Sequence, residues 1–252
     1  MASNTENNPL LYSRSSVDTE TDEHGRSNNS SDSGRHLYQT LKKNLYNSNT
    51  SIVAQVGVIT FFLYVIYKII RSPIIYFTGH PVLNSFALLL MAQSIILVQP
   101  TKTQAEKQLA ASIHGVFNMI AFGAFVGAFA IIYTNKAGHD GAHFASAHAR
   151  LGGLTYVVLT VNVVVGFSQF WTPQIYGSID SAKSLYKYHR VVGYFVILSG
   201  VTTVLLASRT NYSKNVLHLS TVVLLGLVVV IVVGLGLRIR PEKFNFQRVP
   251  LS

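Results

Sequence analysis

Polar residues dominate the first 48 positions of this chain, and from about Ser51 onward the pattern turns to long apolar blocks with short polar breaks. Six blocks stand out, at about 51–71, 78–98, 112–133, 146–168, 188–207 and 216–237. Each is close to the ~20 residues an α-helix needs to cross the hydrocarbon core of a bilayer. Prolines mark the boundaries: Pro73 and Pro81 flank the turn into the second block, Pro100 closes it, and Pro173 follows the fourth. Pro81 is tolerated in a first helical turn, where its missing N–H has no helical partner to lose. The expected fold is an all-α membrane protein with six transmembrane helices, and Ser178–Tyr186 reads as a short interfacial helix. Residues 1–48, rich in Asn, Ser, Thr, Asp and Glu, read as a disordered tail. Residues 49–238 form the membrane domain, and 239–252 a short second tail.

Composition sharpens this reading. Of 252 residues, 49% are hydrophobic and only 12% charged, about half the charge of a soluble domain. There is no cysteine, which removes disulfides, thiolate metal sites and cysteine nucleophiles. The first apolar block is too long and too late for a cleaved signal peptide and reads as an uncleaved signal anchor. A formal charge of +10 fits juxtamembrane Lys and Arg facing anionic lipid, so the bilayer rather than nucleic acid is the expected partner. These cations fall mainly on the side that holds both termini (Lys42, Lys43, Lys102, Lys107, Lys183, Lys187, Arg190, Arg238 and Arg240 among them). The positive-inside rule then puts both termini in the cytosol.

Four histidines sit at the starts of four successive blocks: His80, His114, His148 and His189. Ionisable groups in a membrane are costly and mark functional sites. Blocks two and four start on the non-cytosolic side, and blocks three and five on the cytosolic side. His80 therefore pairs with His148, and His114 with His189, one pair near each membrane face. Paired neutral imidazoles from facing helices suit bis-histidine haem ligation, so a four-helix core with two haems is expected. Glycines on the same blocks (Gly115, Gly123, Gly127, Gly152, Gly153, Gly166, Gly193, Gly200) would allow close approach of a neighbouring helix or of a flat macrocycle.

The segments GHPVLNSFALLLMAQSIIL, HFASAHARLG and YHRVVGYFVILSG, with a histidine opening the block between the first two, resemble the cytochrome b561 family. The likeness is to its short six-helix members without an appended DOMON domain, and it covers about residues 51–237. Position 84 is Asn where Met is common after the His-Pro pair. The resemblance implies two non-covalent b-type haems, with His80, His114, His148 and His189 as axial iron ligands. It implies an ascorbate-dependent transmembrane oxidoreductase that takes electrons from cytosolic ascorbate to monodehydroascorbate or a ferric chelate. It further implies a homodimer in the plasma membrane or an endomembrane such as that of the vacuole or ER.

Anionic donors and acceptors need basic docking sites beside a haem edge. The candidates are Lys107, Lys183, Lys187 and Arg190 on the cytosolic face, and His143 and Arg150, with Lys136 and His139, on the other. Asn84 and Asn118 each follow a candidate ligand by four residues, on the same helix face, where a propionate or a backbone carbonyl would be in reach. His218 reads as an interfacial hydrogen-bonding residue, and Trp171 with Tyr156, Tyr176, Tyr186 and Tyr188 as an aromatic belt. Three other readings compete: a metal or proton transporter, a non-catalytic scaffold, and a zinc site at His139, His143 and His148. The transporter predicts acidic residues within the spans, and none lies in 51–98 or 141–170. No flavin or nicotinamide domain accompanies the blocks, so a diffusible donor is expected.

Overall fold

The computed structural model describes residues 23–46, 48–138 and 142–244. The major helices are α1 (Glu23–Tyr46), α2 (Asn49–Ile70), α3 (Gly79–Val98), α4 (Gln104–Ala137) and α5 (Ala147–Trp171). After them come α6 (Ile179–Ser184), α7 (Tyr186–Ala207), α8 (Asn211–Asn215) and α9 (Thr221–Gly236). Among the described residues there is no strand. Among the described residues, five helices are long and apolar enough to cross a membrane, and the apolar α9 is shorter. Large aliphatic side chains such as Val157, Val161, Val164 and Val222 are exposed, as expected of surfaces that face lipid rather than water.

Local chemistry explains where the helices depart from the expected spans. α4 starts at Gln104, eight residues before 112, because Thr103 caps it by accepting from the Glu106 N–H at 3.2 Å. The Glu106 carboxylate accepts in turn from the Lys102 N–H at 2.8 Å, and no Gly-Pro break intervenes before Ala137. The sixth span begins at Thr221 rather than 216. The turn that follows the short α8, with His218 at φ 49°, occupies the intervening chain, and Ser220 caps the new start. His218 is exposed on that turn. α6 falls where the interfacial helix was expected.

The disordered tail expected over 1–48 is corrected for its second half, which forms α1; residues 1–22 lie outside the described residues. Leu41 is buried against Leu97 of α3 and Ala110 of α4, which supplies the apolar anchor that composition alone did not reveal. Arg238 fixes the same end of the bundle. It is 6% exposed and donates to the carbonyls of Ile96 and Asn44 and to the hydroxyls of Ser48 and Thr50. Lys243 donates to the Val98 carbonyl at 2.8 Å and the Thr101 hydroxyl at 3.1 Å. Both described chain ends therefore gather at one end of the bundle, here the proximal end. Ser72 donating to the Val216 carbonyl at 2.9 Å and the Ser220 N–H donating to the Tyr64 hydroxyl at 2.9 Å tie loops at the distal end.

Four helices form the inner core as two layers, α3 with α4 and α5 with α7, while α2 and α9 pack together against α3 and α7. Gly234 lets α2 and α9 touch: a Cβ there would lie 2.5 Å from the Ala54 backbone. A backbone cannot move aside as a side chain tip can, so Gly234→Ala should destabilise the protein by about 1–3 kcal/mol. Thermal unfolding in detergent checks this, with Gly236→Ala, which meets nothing within 4 Å, as the control. Equal midpoints for the two variants would contradict the packing argument.

Candidate functional site

Histidines from the two layers meet at both ends of the core. The His80 and His148 rings have centroids 6.3 Å apart with planes at 84°. The His114 and His189 rings also stand 6.3 Å apart, at 79°. An imidazole nitrogen binds a metal at about 2.0–2.1 Å, and the ring centre lies ~1.1 Å behind it, so two rings holding one ion in line have centres ~6.3 Å apart. The observed spacing fits a shared iron at each end.

Backbone carbonyls orient these rings. His80 Nδ1 is 2.9 Å from the Ala128 carbonyl of α4, and His148 Nδ1 is 2.9 Å from the Thr203 carbonyl of α7. His114 Nδ1 makes a longer bond, 3.4 Å, to the Ser94 carbonyl of α3. His189 Nδ1 lies beside the Asn162 carbonyl of α5 but outside hydrogen-bonding geometry. A carbonyl can only accept, so each bonded Nδ1 carries the proton and leaves the Nε2 lone pair free for a metal. The exchange is reciprocal in the α3–α4 layer and runs one way, from His148 to Thr203, in the α5–α7 layer. On three of the four helices, the carbonyl that accepts from its neighbour's ring lies fourteen residues after that helix's own histidine: Ser94 after His80, Ala128 after His114 and Thr203 after His189; Asn162, beside the unbonded His189 ring, lies fourteen residues after His148.

An aromatic-walled cavity of about 570 Å³ also lies along α5 just beyond His148; it opens between α4 and α5, walled by Phe122, Phe125, Phe129, Phe144 and Tyr156 and floored at Gly153. Gly166 lies under the His189 ring: a Cβ there would come within 2.6 Å of its Cε1. The Gly123–Gly127 pair divides. Gly127 packs near Leu83, whereas Gly123 meets nothing within 4 Å. The sequence model of eukaryotic cytochrome b561 matches residues 79–214 of the chain, a stretch that contains all four histidines and more than half the protein. The chain belongs to the cytochrome b561 family. Membership makes it a membrane protein of haem-dependent transmembrane electron transfer. No curated protein matches the chain.

Cytochrome b561 chemistry needs docking sites as well as a core, and the candidate docking residues are not gathered into one cluster. Lys183 pairs with Asp180 at 3.4 Å, both side chains exposed. Lys187 lies over the Tyr188 ring, 5.2 Å from its centroid. Arg190, next to His189 and half-buried, donates to the Lys243 carbonyl at 2.6 Å. Lys107 is exposed on the first turn of α4. At the distal end, Arg150 donates to the carbonyls of Phe144 and Ala145, both at 3.2 Å, and so braces the loop before α5. His143 is exposed and stacked on Tyr133 with centroids 4.9 Å apart. His139 lies outside the described residues, and among the described residues no three His, Cys, Asp or Glu side chains converge on one point.

Two features were missed in the sequence. Tyr156, read as part of the aromatic belt, is instead half-buried against the core, where it donates to Asn84 Oδ1 at 2.9 Å. Its place on α5, eight residues after His148 and so on a neighbouring face, was the available signal. Asn84 and Asn118 both donate to the backbone carbonyl of the histidine four residues earlier, at 2.8 and 2.7 Å. The carbonyl receivers of the four rings carried no side-chain signal at all. Trp171 and Tyr188 are exposed, as a belt requires, and Tyr176 bonds Ser168 at 2.6 Å.

Proposed function

We propose that this cytochrome b561 binds two b-type haems, one between His80 and His148 and one between His114 and His189, and passes single electrons between them across the membrane. The observation that carries the reading is the pair of facing histidine couples, each with rings 6.3 Å apart. When bound, a haem supplies an iron that takes up and gives back one electron without a proton-coupled bond change. The protein's own part is to present Nε2 from two layers, to hold the His80, His114 and His148 rings by their Nδ1 protons, and to exclude water with aliphatic and aromatic walls.

The reading extends to the reaction class. An ascorbate-type reductant supplies electrons at the proximal end, where Lys107, Lys183, Lys187 and Arg190 attract an anion. Monodehydroascorbate or a ferric chelate receives them at the distal end, near His143 and Arg150. The excess of cations at the proximal end supports a cytosolic location for it, with both termini in the cytosol. The protein purified from haem-replete cells should show a b-type α-band in the ascorbate-reduced minus oxidised spectrum, with about two haems per chain. A colourless preparation would overturn the proposal. A coloured one that dithionite but not ascorbate reduces would remove the donor alone.

A further inference from the structure

The Tyr156 bond to Asn84 joins the two layers beside one histidine pair. The orientation of the Asn84 amide follows from its partners. The His80 carbonyl accepts at 2.8 Å and so must face Nδ2, which leaves Oδ1 to accept from the Tyr156 hydroxyl at 2.9 Å. The same Nδ2 stands 3.4 Å from His80 Nδ1. The chain of contacts thus runs from α5, which carries His148, to the first turns of α3, which carry His80. Phe125 and Phe129 press edge-on against the Tyr156 ring, with centroids 5.7 and 5.5 Å away, and hold the phenol in place.

The other pair is built differently. Asn118 occupies the matching position, four residues after His114, and donates to the His114 carbonyl at 2.7 Å. Its second partner is the Ser94 hydroxyl at 2.8 Å, which lies on α3 in the same layer. Asn118 therefore strengthens one layer, whereas Asn84 with Tyr156 reaches across to the opposite one.

We infer that Tyr156 and Asn84 are positioning residues for the His80–His148 site alone, the phenol holding the Asn84 amide so that its N–H dipole stays beside the His80 ring. This rests on the haem assignment proposed above. Amide hydrogens carry partial positive charge. Next to an axial imidazole they draw electron density from the ring and favour the reduced metal. A hydrogen bond from the phenol polarises the amide further. Removing either group should shift the balance of that one site towards the oxidised form.

The test is a redox titration of the full-length haem protein in lipid nanodiscs, following the two α-band components separately. Single alanine variants at the histidines assign each component to its pair. At a fixed potential, Tyr156→Phe and Asn84→Leu should each lower the reduced-to-oxidised ratio of the His80–His148 component by about two- to fivefold, the scale of one hydrogen bond. The double variant should go no further than Asn84→Leu, because the phenol acts through the amide. The His114–His189 component should not move. Equal shifts in both components, no shift in either, or additive single effects would overturn the inference while the haem assignment stands. Haem absent from the unsubstituted protein would overturn both. Tyr156→Phe removes one oxygen and no packing volume, so it carries the test alone if Asn84→Leu does not assemble.

Discussion

His80→Ala and His148→Ala should each abolish the same b-type component of the reduced-minus-oxidised spectrum, while His114→Ala and His189→Ala abolish the other. The rings of each couple come from opposite layers and stand 6.3 Å apart, so each iron would depend on both. Losing one imidazole would leave the proposed iron a single protein ligand, because the nearest other histidine pair is ~21 Å away along the helices. It also removes the second donor, beyond the helical N–H, from the carbonyl of Ala128 or Thr203 at the distal end, a loss of about 0.5–1.5 kcal/mol. Each single variant should therefore keep one haem per chain, measured as pyridine haemochrome against protein. Losses that grouped His80 with His114, both from the α3–α4 layer, would refute the cross-layer geometry.

Gly166→Ala should remove the His114–His189 component selectively. The new methyl would lie 2.6 Å from His189 Cε1 and 3.3 Å from its Nε2, far inside van der Waals contact, so the ring must tilt away from its partner. His189 is the one histidine of the four whose Nδ1 lacks a hydrogen bond, so little resists that tilt. The expected change is several-fold lower haem occupancy at this pair, with the His80–His148 component at its normal intensity. Gly226→Ala on α9, where a Cβ meets nothing within 4 Å, should leave both components unchanged. Identical spectra for Gly166→Ala and Gly226→Ala would mean that the glycine serves helix packing only.

The pairing of the histidines was legible because it depends on parity. Successive spans alternate direction, so histidines at the starts of alternate spans share a face whatever the details of packing. Helix ends were legible where a proline or a polar run stops the pattern, as at Ile70 and Val98, each within a residue of its expected end. They were not legible where a side chain decides, as with the Thr103 cap of α4 or the turn at His218 before α9. α1 escaped because its anchors, Leu41 and the partly buried Leu45, are too few to register in a hydrophobic pattern. The basic residues show the opposite failure. Arg150 and Arg190 carry the charge a docking site needs, yet each spends hydrogen bonds on a backbone carbonyl, and charge alone does not reveal such commitments.

The fourteen-residue interval between each histidine and the carbonyl on its own helix has a consequence for how this protein can vary. Fourteen residues of α-helix rise ~21 Å, and the interval is repeated in four helices, so the distance between the two histidine couples is gauged by helix interiors and not by connecting loops. Inserting one residue between His80 and Ser94 would turn the receiving carbonyl by about 100° and lengthen that gauge by ~1.5 Å. The other three helices would keep the old length. Insertions before Gly79 or between Trp171 and Tyr186 would leave the gauge untouched, so tolerance to length change should be confined to the ends of the bundle.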